Sequence, residues 1–156
     1  MVATTTQLAD FARNVVGENG RVIQILDANA DAHDFEPTSD HLKAVTDADV
    51  IIVNGLHLDD WINDLRTSSG STAPVVVASR GITPLRIDDE DDHAAEGDHA
   101  HEDDHDHTDG DDHADEPAAA HDDDHDHGPE DPHVWMDPAN AKIMVTTIEK
   151  GIAAAA

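Results

Sequence analysis

The sequence predicts an α/β fold: a layered α/β/α lobe with a mostly parallel sheet, broken by a long polar insertion. Three observations carry this. Short apolar runs rich in β-branched residues alternate with segments of helical periodicity. Two of the runs, residues 49–53 and 74–78, are apolar almost throughout, as strands covered on both faces are. Residues 88–130 show neither pattern and are dominated by Asp, Glu and His.

Residues 2–5 read as a first short strand. Leu8, Phe11, Ala12, Val15 and Val16 then recur at i, i+3, i+4, i+7 and i+8, marking an amphipathic helix that Gly17 stops. Glu18-Asn19-Gly20 turns the chain into a β-rich run at 21–26. A polar connection over 27–37 follows, and Thr38 or Ser39 caps a helix that turns Leu42 and Val45 inward and ends near 47–48. Residues 49–53 form the next strand, broken by Asn54-Gly55. Leu58, Trp61, Ile62 and Leu65 mark another helix, and 74–78 a further buried strand. In such sheets ligands bind beyond the carboxyl ends of the strands. His33 lies on the connection after the second strand.

Near the end stands Asp131-Pro132-His133-Val134-Trp135-Met136-Asp137-Pro138. Asp137 suits an N-cap and Pro138 the first helical position, so a helix is expected to start there. Pro132 stiffens the approach and biases Asp131 toward extended backbone. His133 is therefore held on a rigid turn, a sound place for a metal ligand. Ile143, Met144, Thr147, Ile148 and Ile152 sketch the apolar face of the helix that follows.

The net charge of −28 is unevenly placed. Residues 88–131 carry 22 acidic and no basic side chains, whereas residues 1–87 carry 12 and 6. A field of this sign repels nucleic acid and attracts cations. The tract also holds nine histidines, His93, His99, His101, His105, His107, His113, His121, His125 and His127. Residues 91–107 repeat as 111–127 with 12 of 17 positions identical. Without apolar side chains the repeat cannot stack as a solenoid, and the tract is expected to be disordered. His-X-His pairs at 99/101, 105/107 and 125/127 suit zinc, copper or nickel. Calcium fits less well: with Gly110 at position 6 of an EF-hand loop, positions 1 and 3 fall on His105 and His107. There are no cysteines, so any ion must be held by imidazole and carboxylate.

Together with Ala32-His33-Asp34-Phe35-Glu36-Pro37-Thr38, the run 47–56, and Leu58-Asp59-Asp60-Trp61, the Asp131–Pro138 motif resembles the solute-binding proteins of zinc and manganese ABC importers. Their zinc branch commonly carries a His/Asp-rich loop just before the Asp-Pro-His-Val-Trp motif. The resemblance covers the whole chain outside the tract. It implies a two-lobed fold joined by a long helix, with the metal between the lobes and His33 and His133 as two ligands. It further implies Zn²⁺ as cargo (Mn²⁺ the alternative), a membrane permease as partner and a periplasmic or cell-surface location. A second lobe, its ligands and a secretion signal are not found in these residues, so the chain resembles an amino-terminal portion of such a receptor.

The expected organisation is thus a metal-binding lobe at 1–87, the His/Asp-rich loop at 88–130, and the ligand motif with the start of the connector helix at 131–156. The expected function is that of a binding protein and not an enzyme, since no nucleophile–base set, phosphate loop or general base is apparent. A stand-alone metal buffer built on the tract is the competing reading; a metallohydrolase is the least favoured. His41 and His57 read as surface residues, Trp61 as core packing, and Trp135 as packing that holds the turn. Imidazole binds metal only when neutral, so affinity should fall below about pH 6.5.

Overall fold

A computed structural model describes residues 1–32, 35–86 and 130–156. Four parallel strands, β1 (Val2–Ala3), β2 (Ile23–Gln24), β3 (Ile51–Val53) and β4 (Val75–Val77), form one sheet in the order β2-β1-β3-β4. Helices α1 (Thr6–Val16), α2 (Ser39–Thr46), α3 (Trp61–Ser69) and α4 (Pro138–Ala155) cover it.

The side-chain alternation of β3 divides the core. Ile52 packs with Leu8 and Ala12 of α1 and Met144 and Ile148 of α4. Ile51 and Val53 face the other way, onto Val45 of α2 and Ile62 and Leu65 of α3. This is the three-layer arrangement that continuous apolar strands require. The face of α4 predicted to be apolar is half satisfied by the lobe itself: Met144 and Ile148 are fully buried, while Ile143 is 40% exposed.

Element ends follow local chemistry. Thr5 accepts from the Leu8 amide and caps α1, so the first strand stops at Ala3 and not at Thr5. Gly17, at φ 54°, closes that helix. Of the two capping candidates for α2, Thr38 takes the position. Helix α3 begins at Trp61, three residues after Leu58, because Leu56 and His57 adopt positive φ (55° and 62°) that no α-helix admits. Asp137 accepts from the Ala139 amide at 2.8 Å and caps α4, with Pro138 at its first position as expected.

Candidate metal centre

His133 sits between Pro132, which is buried, and a single 3₁₀ turn (Val134–Met136) that leads into α4. Asp131 Oδ1 accepts from the His133 amide at 2.9 Å and lies 2.8 Å from His133 Nδ1. A carboxylate at that distance holds the proton on Nδ1 of a neutral ring, which leaves the lone pair on Nε2. This carboxylate–imidazole pairing is the usual way a metal-binding histidine is oriented. The Trp135 ring meets the His133 ring edge-on, with centroids 5.2 Å apart.

The turn is fastened from two sides. Asn54 Nδ2 donates to Pro132 O at 3.1 Å, and the Asp131 amide donates to Leu85 O at 2.8 Å. Arg86, just before the acidic tract, and Glu130, at its end, form an isolated antiparallel bridge.

Behind Asn54 lies a buried group that sequence reasoning missed. Asp59 is 2% exposed. Its Oδ2 accepts from Thr4 Oγ1 at 2.5 Å and the Asn54 amide at 2.6 Å, and its Oδ1 from the Gly55 amide at 3.0 Å. Burial pushes the Asp59 carboxyl up from the ordinary aspartate range; the three donors oppose that shift and Asp60 adds to it. In sequence the one signal for this residue was its place in the Leu58-Asp59-Asp60-Trp61 motif, which says nothing of its burial.

His33 and Asp34 lie outside the described residues, but both flanks are held. Trp61 Nε1 donates to Ala32 O at 3.0 Å, and the Trp61 ring packs on Phe35 with centroids 4.6 Å apart. Phe35 also meets His41 at 5.2 Å. Trp61 therefore does more than fill core. His41 is likewise more than a surface residue: its Nδ1 accepts the Thr38 amide at 3.1 Å and completes the capping box of α2. His57 is exposed as expected, with Nδ1 2.8 Å from Asp60 Oδ2. The nine tract histidines also lie outside the described residues.

A cavity of about 340 Å³ opens beyond the carboxyl ends of the strands. His133 and Trp135 line it together with Asp27, Asp31, Ala32, Leu58 and the first turn of α1. Among the described residues no group of three or more His, Asp or Glu is placed to hold a metal ion. His133 thus brings one nitrogen donor to a polar hollow that the His33 connection also borders.

The family model of the periplasmic zinc-uptake complex component A, ZnuA, matches residues 1–156. The chain belongs to the ZnuA family. Proteins similar to this ZnuA-family chain are named for different metals. The iron-binding protein YfeA of Yersinia pestis is 28% identical over 152 residues, covering 97% of this chain and 38% of YfeA. The zinc-binding protein AdcA of Streptococcus pyogenes serotype M3 (strain MGAS315) is 27% identical over 156 residues, covering 99% of this chain and 27% of AdcA. A Mn-bound periplasmic metal binding protein from Candidatus Liberibacter asiaticus superposes with a TM-score of 0.69 at 20% identity, covering 99% of this chain and 44% of that one. That likeness places the fold among the lobes of such proteins. The ZnuA-family chain spans less than half the length of each of these proteins. No helix among its described residues is long and apolar enough to cross a membrane.

Proposed function

We propose that these residues form the amino-terminal lobe of an extracytoplasmic receptor that captures Zn²⁺ and delivers it to an ABC permease. The observation that carries this reading is the cavity bordered by both Ala32 and His133, with His133 oriented by Asp131. His133, through Nε2, and His33, next to Ala32, supply two imidazole ligands, and a second lobe supplies the rest. Zinc is favoured over manganese or iron because two neutral imidazoles suit a borderline-soft ion. The His/Asp-rich segment, 88–130, gathers ions near the cleft by weak, poorly selective binding, and its high local ligand concentration raises the rate of capture. The protein acts by binding and release, not by catalysis.

Zinc calorimetry tests this on the whole chain and on a version lacking residues 88–130. The whole chain is expected to take up several Zn²⁺ weakly. The shortened chain is expected to keep weak binding that His133→Ala removes. A single nanomolar site in the shortened chain refutes the need for a second lobe. Loss of all binding with the tract shifts the reading to a stand-alone metal buffer, which the nine histidines favour.

A further inference from the structure

The two loops assigned to the metal are a hundred positions apart in sequence, yet their hydrogen bonds lead to one short stretch. Asn54 Nδ2 holds Pro132 O, one residue before His133. Trp61 Nε1 holds Ala32 O, one residue before His33, and its ring holds Phe35 on the far side. Between Asn54 and Trp61 the backbone takes three successive positive φ values, 82° at Gly55, 55° at Leu56 and 62° at His57. Such a run is unfavourable for residues with a Cβ and persists only where the surroundings over-determine it. Asp59 does so here, by accepting the Asn54 and Gly55 amides while receiving Thr4 from the end of β1.

Asn54 itself is a poor choice on stability grounds. It is wholly buried, its Nδ2 also donates to Gly55 O at 3.0 Å, and its Oδ1 has no hydrogen-bond partner among the described residues. A buried amide left half-satisfied is costly, so its value lies in what Nδ2 holds. Its neighbour has little freedom either: a Cβ at Gly55 would meet a Val77 methyl at 2.7 Å.

We propose that residues 54–61 act as one bracket, in which Asn54 and Trp61 are positioning residues that set the separation of the His133 and His33 loops. Asp59 keeps the bracket in shape. The inference rests on the reading of His33 and His133 as ligands. Preformed spacing is what lets one lobe present two nitrogens to the same ion, and loss of such outer support typically weakens metal binding about 10–100-fold.

Long-range ¹H–¹⁵N spectra of the full chain report each imidazole separately, with His33→Ala and His133→Ala assigning the two resonances. On titration with ZnCl₂, His33 and His133 are expected to shift together at one midpoint. Trp61→Phe keeps an aromatic ring against Phe35 and removes the donor to Ala32 with part of the indole's bulk. It is expected to raise that midpoint about tenfold or more while thermal melting stays near wild type, and to leave the tract resonances unmoved. Asn54→Ala is expected to raise the midpoint likewise. Since Asn54→Ala is the variant at risk of misfolding, Trp61→Phe alone decides the matter if it does. Separate midpoints for His33 and His133 in the unaltered chain overturn the shared-ligand reading and the bracket with it. A joint midpoint that Trp61→Phe leaves unchanged overturns the bracket alone.

Discussion

Asp59→Asn isolates the buried carboxylate with almost no change in shape. The carboxylate accepts three hydrogen bonds, two on Oδ2 and one on Oδ1. An amide has one acceptor oxygen. With that oxygen in the Oδ2 place, Thr4 and the Asn54 amide are still served, but the NH₂ group then faces the Gly55 N–H. One hydrogen bond is lost and a donor is left against a donor, at a cost of about 2–3 kcal/mol. The two remaining bonds lose their charge assistance, about 1 kcal/mol in all. Against this, the amide removes the burden of keeping a charge out of water, an offset of about 1–2 kcal/mol. The net expectation at pH 7 is a destabilisation of about 2 kcal/mol, seen as a Tm lower by roughly 8 °C. The pH dependence has a definite sign. Because the folded-state pKa of Asp59 is raised, the native chain binds more protons than the unfolded chain between the ordinary value of 3.8 and the raised value. Native stability owed to this group therefore rises as pH falls through the folded-state pKa, and levels off below 3.8. The substituted amide cannot titrate, so the gap between the two proteins should widen on acidification. Urea unfolding followed by circular dichroism at several pH values measures both effects. An Asp59→Asn protein as stable as wild type at pH 7 would show that desolvation, not donor satisfaction, dominates at this position.

Two other substitutions probe how α4 is seated. Gly151→Ala should destabilise by about 1–2 kcal/mol despite the better helix propensity of alanine, because its Cβ would run into both methyls of Val76. In a Val76→Ala background the penalty should shrink, because only the Cβ of residue 76 remains in its way, at 3.1 Å, and denaturant midpoints of the four proteins measure the coupling. Asp137→Ala removes the acceptor for the Ala139 amide and should cost about 1 kcal/mol, read as a lower melting temperature with the zinc response of His133 retained.

The alternation of apolar runs and helical periodicity was enough to specify a parallel α/β/α lobe, because both periods are written in neighbouring residues. Caps were legible for the same reason: Asp137-Pro138 and Thr38 act within three positions of themselves. His133 could be singled out from its stiff Pro-His turn, and the charge and histidine content of 88–130 from composition alone. What local pattern could not reveal is which polar side chain is buried. Asp59 and Asn54 carry the residue types of a surface turn, and only the approach of Thr4, Pro132 and the sheet's carboxyl edge removes them from water. Trp61 likewise read as core, since the acceptor for its indole, Ala32 O, is 29 positions away. Hydrogen bonds of that reach depend on where the sheet sets its strands, and so the support of the two ligand loops was decided in three dimensions and not along the chain.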